Sequence, residues 1–267
     1  MNLSFLILVT VFVQNVFCQT EILMRSGRIR YVTDSEVHKS EQIQNLEYFN
    51  NSVISNGTHL KIITTSMPIL IEGSFRNMEN LQVLQIPKCQ ITEIRPGAFL
   101  NLPNLDRIQL QDNEITRIEN GIFNAMLISQ LYMHRNQIEF IHSEAFDNMP
   151  NLHKIKLNGN RLKMWDSNWF YNTPKLTEVL IRRNIITTIE KNAFKNIKKL
   201  QVGHDEDGNS TSIYLSKNKI SSIHPQAFSN LVRLNQLFLD RNNLSVIPDG
   251  LFAEIGSITF LILEGIK

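Results

Sequence analysis

Cysteine is nearly absent from this chain: two residues in 267, Cys18 and Cys89. A disulfide-dense scaffold is thereby excluded, and the chain must hold itself together by burying apolar surface. Glycine (11) and proline (8) are too scarce for a collagen-like or linker protein. An excess of one charge is lacking too. Lys+Arg is 27 against Asp+Glu 25, a net +2, so bulk charge argues against a nucleic-acid partner. Beyond the N-terminus no apolar run reaches the ~18 residues of a membrane-spanning helix, and no lipid-anchor signal closes the chain. What remains is 42% hydrophobic and 19% charged, the composition of a globular protein.

The N-terminus is the one long apolar stretch. Residues 3–17 carry no charge, and the first charged side chain is Glu21. This length suits the core of a signal peptide and is short for a membrane span. Val16 and Cys18 are small enough for the −3 and −1 positions of a cleavage site, so residues 1–18 read as a signal peptide. The mature chain would start at Gln19 and keep only Cys89. A secreted, extracellular protein is expected. Asn-x-Ser/Thr acceptors for glycosylation at Asn50, Asn56, Asn209 and Asn243 fit that route.

Self-similarity dominates the rest. Phe75, Phe99, Phe123, Phe146, Phe170, Phe194, Phe228 and Phe252 recur at spacings of 24, 24, 23, 24, 24, 34 and 24. Ten residues before each stands Thr65, Cys89, Asn113, Asn136, Asn160, Asn184, Asn218 or Asn242. Two further apolar columns lie three and five residues before that position, as in Leu110 with Ile108 and Leu157 with Ile155. The alternating pair predicts a short strand with one buried face, stacked in parallel on its neighbours roughly 4.8 Å away. The buried Asn amides predict a ladder of hydrogen bonds between turns. Cys89 is a smaller substitute in that column and is expected as a buried structural thiol. The Phe side chains predict a second apolar spine.

The unit L-x-x-L-x-L-x-x-N-x-I-x-x-I-x-x-x-A-F-x-x-L resembles the extracellular 24-residue class of leucine-rich repeat. Its Ile-rich units and Ala-Phe pairs are similar to arthropod repeat proteins such as Toll-like ectodomains and chaoptin. The resemblance implies an α/β solenoid: a curved horseshoe with a parallel concave sheet and a convex side that is irregular or built of short helices. Pro96 and Pro225 suit the first position of such a turn or helix. Eight repeats are expected over residues 57–257, with an incomplete ninth at 258–267. Trp165 falls in an Ile column and is expected in the core; Trp169, just before Phe170, is expected to be partly exposed.

Residues 19–56 do not fit the repeat. Ile29 and Tyr31 alternate with Arg28 and Arg30, which suggests a strand, and the segment reads as an N-terminal cap. It lacks the four cysteines common in caps of the similar family. At the other end the ninth repeat leaves an uncapped strand, a hazard for edge pairing. Either the chain is truncated there, as a cell-surface receptor ectodomain would be, or another chain covers the edge, as in a dimer. One repeat swells at residues 203–212, which predicts a surface loop. Its Asp205, Glu206, Asp207 and Asn209 fail the spacing of a calcium-binding loop.

No catalytic pattern emerges. His204 and Ser210 crowd one loop with nothing to orient them. His134, His142 and His153 lack zinc-ligand spacing, and no phosphate-binding glycine loop or nucleophile elbow is present. A non-enzymatic chain without cofactor or metal is expected. The outward strand positions carry the partner expectation instead. The central column reads Lys61, Gln85, Gln109, Tyr132, Lys156, Leu180, Tyr214, Phe238 and Ile262. The column before the ladder includes Arg135, Gly159, Arg183, Lys217 and Arg241, and Arg182 lies beside it. From Ser129 to Arg241 all outward positions flanking the buried pair hold seven positive residues (Arg135, Lys154, Lys156, Arg182, Arg183, Lys217 and Arg241) and two negative, Glu178 and Asp240. Basic side chains mixed with aromatics suit an interface. The candidate concave-face site is therefore Tyr132, Arg135, Lys156, Arg182, Arg183, Tyr214, Lys217, Phe238 and Arg241. Resemblance implies an extracellular protein or glycoprotein ligand, in adhesion or innate immunity; a glycan or acidic polymer is the other reading.

Overall fold

The computed structural model describes residues 24–33, 38–54, 56–63, 66–197, 211–229, 231 and 233–265. The expected signal peptide, Thr65, Asn209 and residues 203–210 of the expected loop lie outside them.

One sheet of eleven strands runs the length of the molecule. Its strands are β1 (Met24–Thr33), β2 (His38–Leu46), β3 (Gly57–Ile63), β4 (Val83–Gln85), β5 (Arg107–Gln109), β6 (Gln130–Tyr132), β7 (Lys154–Lys156), β8 (Glu178–Leu180), β9 (Ser212–Tyr214), β10 (Arg233–Phe238) and β11 (Ser257–Ile262). From β3 to β11 every pairing is parallel and joins consecutive repeats. The register aligns Lys61, Gln85, Gln109, Tyr132, Lys156, Leu180, Tyr214, Phe238 and Ile262 in one row. Between them the inward residues Leu60, Leu84, Ile108, Leu131, Ile155, Val179, Ile213 and Leu237 are fully buried. No repeat could shield its own inward face, so packing between neighbours supplies the stability.

At the N-terminal end the pairing changes sense. β1 runs antiparallel to both β2 and β3, so a hairpin covers the first repeat's edge. Met24, Ile29 and Tyr31 join the core, and the Tyr31 hydroxyl donates to Glu41 Oε1 at 2.7 Å. Phe49 then stacks on Phe75 at 5.1 Å and extends the aromatic spine by one ring. The spine continues through Phe75, Phe99, Phe123, Phe146 and Phe170 with centroids 5.6–6.3 Å apart. Trp165 lies against Phe170 (5.8 Å) and Phe194 (4.7 Å), and Phe194, Phe228 and Phe252 complete the row.

Two expectations need correction. The convex side holds no helix among the described residues; it is built of turns and two-residue bridges such as Phe75–Arg76 with Phe99–Leu100. Left-handed residues break the right-handed run on both sides of the spine. Gly73, Gly97 and Gly121 precede the Phe by two, and Asn77, Asn101, Ala125, Asn148 and Asn172 follow it by two, all with φ between 52° and 80°. Too few residues remain between them for a helical nucleus. In the early repeats the backbone donors turn to the neighbouring repeat, as Gly73 N to Gly97 O and Phe75 N to Ala98 O. Trp169 is also not exposed. Only 2% accessible, it donates Nε1 to Ile141 O at 3.2 Å and lies 5.5 Å from Trp165. An indole offers enough area to be pulled inward, and its N–H finds a backbone acceptor there.

Candidate concave recognition site

The ladder positions the concave face. Asn113 donates Nδ2 to Ile86 O (2.7 Å) and Leu110 O (3.0 Å), while its Oδ1 accepts from Cys89 N (2.9 Å) and Ile91 N (3.2 Å). Asn136, Asn160, Asn184, Asn218 and Asn242 repeat the scheme: each donates to a carbonyl of its own strand and one of the preceding repeat. Each also accepts a backbone N–H of the preceding repeat. Cys89 sits in the same column fully buried, its thiol pushed up to about 12 by burial. Its Sγ donates to Pro87 O at 3.4 Å.

The residue before each ladder position turns left-handed. Lys88, Asp112, Arg135, Gly159, Arg183, Lys217, Arg241 and Gly265 have φ between 54° and 84°. Their backbone amides reach across: Arg135 N to Asn158 O, Arg183 N to Ser216 O, Lys217 N to Asp240 O. The twist lifts these side chains to the rim at the C-terminal ends of the strands.

There a groove of about 640 Å³ opens, lined in part by His134, Arg182, Ser216 and Asp240, each two residues before a ladder Asn. Of the nine candidate residues, Arg135, Arg182, Arg183, Lys217, Phe238 and Arg241 line it; Tyr132, Lys156 and Tyr214 lie outside the lining. Tyr214 still belongs to the cluster. Its ring stacks on Phe238 with centroids 4.9 Å apart and planes at 17°. The Arg182 guanidinium lies 4.5 Å from the Tyr214 centroid and 4.8 Å from that of Phe238, within cation–π range. Tyr132 and Lys156 form a separate pair, Nζ 4.3 Å from the ring centre.

The charges are not equally free. Arg135 is held in a two-bond ion pair by Asp112 of the preceding repeat. That hydrogen bond holds the Asp112 carboxyl below the usual carboxylate range and raises Arg135. Lys154 pairs with Glu178 at 2.6 Å. Burial lowers Lys156, with Lys154 repelling it; burial also lowers His134, with Arg135 and Lys156 adding to the effect. Arg183, Lys217 and Arg241 have no carboxylate partner among the described residues.

The chain matches the BspA type leucine rich repeat region in six copies over residues 68–201, and a further leucine rich repeat match covers 209–265. It belongs to the leucine-rich repeat family. The chain is also similar to two solved structures. The Toll–Spatzle complex of Drosophila is 17% identical with a TM-score of 0.53, covering 71% of this chain and 31% of that one. The TLR13–ssRNA13 complex is 21% identical with a TM-score of 0.49, covering 67% and 30%. This leucine-rich repeat chain thus spans less than a third of either, and the likeness to Toll is one of fold.

Among the predicted acceptors for sugar, Asn56 and Asn243 are exposed and Asn50 is half-buried. Asn50 Oδ1 accepts the Ser52 N–H at 3.0 Å. A second Asn column, on the convex side, escaped the repeat reading: Asn101 Nδ2 donates to Asn77 Oδ1 (2.9 Å) and Asn172 Nδ2 to Asn148 Oδ1 (2.8 Å). Its signal was present in the sequence as Asn two residues after Phe. Among the described residues no three His, Cys, Asp or Glu side chains gather as a metal site, and no helix is long and apolar enough to cross a membrane.

Proposed function

We propose that this leucine-rich repeat chain is a secreted, glycosylated recognition module, not an enzyme, and that it binds an extracellular protein through its concave face. The signal-like N-terminus and the Asn50, Asn56, Asn209 and Asn243 acceptors support the secretory route. The carrying observation is the stack of Tyr214 and Phe238 under Arg182, continuous with the groove at the strand ends. Aromatic and Arg side chains clustered beside a concavity are what interface anchors look like. A solenoid of this fold in complex with Spatzle is the precedent for a held ligand. Adhesion and extracellular innate immunity are the processes proposed for such a module.

Expression in eukaryotic cells tests the route: the product should reach the medium beginning near Gln19 and carry added mass at the acceptor sites. Retention in the cytosol at full length refutes it. The face is tested by surface plasmon resonance with a partner captured from the medium, comparing Tyr214→Ala and Phe238→Ala with Lys191→Glu on an exposed convex position. Binding that survives both aromatic truncations and falls with the convex control moves the site.

A further inference from the structure

The rim column changes character along the solenoid. Over successive repeats it reads Gly159, Arg183, Lys217, Arg241 and Gly265, all left-handed. Three cations stand in a row with a glycine at either end. Beyond Gly159 the next cation, Arg135, is already neutralised by Asp112. With repeats roughly 4.8 Å apart, the three free charges span about 10 Å. A polyanion such as a sulfated glycan gains affinity from a long track of cations. This track is short and closed at both ends.

The floor beside the row is mixed. Phe238 and Ile262 are apolar, Asp240 is acidic, and Ser216 and Arg182 bring polar atoms. The Ser216 side chain is only 3% exposed, and its hydroxyl has no hydrogen-bond partner. The same holds for Arg182 Nε and His134 Nδ1, both in the lining. All three atoms are shielded from solvent, so contact with a ligand falls to the cations of the row and to Phe238. An extended peptide projects side chains to one side every ~6.7 Å, so two acidic side chains at alternate positions fit within the row. Its intervening apolar side chain meets Phe238.

We propose that the groove seats a short acidic peptide segment of the protein partner, with Arg183, Lys217 and Arg241 taking its carboxylates and Phe238 its intervening apolar side chain. This rests on the concave-face reading and adds the chemistry of the ligand. Asp240 sets a limit on charge density, because it repels a run of consecutive carboxylates and tolerates alternating ones.

The test is fluorescence anisotropy on the full secreted chain in about 0.15 M salt. The probes are a labelled short peptide of alternating Glu and Leu, its Gln-for-Glu counterpart, and a sulfated heparin hexasaccharide. The Glu peptide should bind about tenfold tighter than the Gln peptide, and Arg183→Gln with Arg241→Gln should erase the difference. Gly159→Arg should tighten the Glu peptide: the column accepts Arg at this backbone geometry in Arg183 and Arg241, and a gain is not mimicked by misfolding. Equal affinities for the two peptides, or no binding of either, overturn the proposal. So does a hexasaccharide that binds tighter than the Glu peptide, which would assign the row to a sulfated glycan. Captured-partner binding that falls in Tyr214→Ala but is unchanged in the two Gln variants leaves the concave-face reading standing and the acidic segment overturned.

Discussion

Tyr214 and Phe238 stand in the same row of adjacent strands and stack 4.9 Å apart, close to the strand spacing itself. The Tyr214 hydroxyl donates to Gln236 Oε1 at 2.7 Å, so the ring is fixed before any partner arrives. Pre-positioned aromatic anchors lose little side-chain freedom on binding. Truncating either to Ala should cost about 2 kcal/mol of binding energy and act mainly on the dissociation rate. Surface plasmon resonance reads this directly.

The ladder predicts a sharp contrast in stability. Asn160→Leu removes the acceptor for Ile138 N and the donors to Met133 O and Leu157 O. It should destabilise by about 1–3 kcal/mol in urea melts. Asn243→Gln, exposed one position beyond the ladder, should change almost nothing.

The left-handed rim column can be probed without touching the core. Arg241 is exposed with φ 54°, a geometry that β-branched side chains tolerate poorly. Arg241→Val should lose about 1–2 kcal/mol of stability, while Arg241→Gly should not. Equal melting temperatures for the two variants would show that the column carries no backbone constraint.

Cys89 supplies a pH signature. Its thiol gives up a proton near pH 12 in the native chain and near pH 9 once unfolded. The folded pKa is raised, so its contribution to stability is complete below pH 9 and declines as pH rises from there toward 12. At pH 8 a thiol reagent should label Cys89 only after denaturation. Rapid labelling of the native chain would contradict its burial.

His134 works in the opposite direction. Burial first, then Arg135 and Lys156, lower its pKa, with Asp112 partly opposing. The unfolded chain therefore takes up this proton first, and stability should fall as pH drops below the usual histidine range. His134→Gln should flatten that limb of the stability curve.

Much of this was legible in the sequence because a period of 24 fixes which residues become neighbours. The outward row from Lys61 to Ile262 and the Phe spine follow from spacing alone. What stayed hidden depends on contacts that spacing does not encode. The pairing of Arg135 with Asp112 joins two rim residues through side-chain reach, and it removes one cation from the face. Trp169 turned inward because an acceptor, Ile141 O, was within reach of its N–H. In the early repeats the convex helix was lost to left-handed residues on both sides of the Phe, Gly73, Gly97 and Gly121 before it and Asn77, Asn101 and Ala125 after it, a backbone property their identity permits without dictating. The groove arises where six repeats bring their residues together, so no single repeat announces it.

The antiparallel hairpin at the N-terminal end has a consequence for assembly. β1 and β2 meet through contacts between residues near in sequence, whereas each later strand needs an edge about 24 residues behind it. Local pairings close quickly and distant ones slowly. As the chain is synthesised from its N-terminus, the hairpin is complete before the first repeat emerges. It then offers β3 a ready edge, and each strand laid down becomes the template for the next. Growth from this edge has a direction, while later repeats can also nucleate on one another.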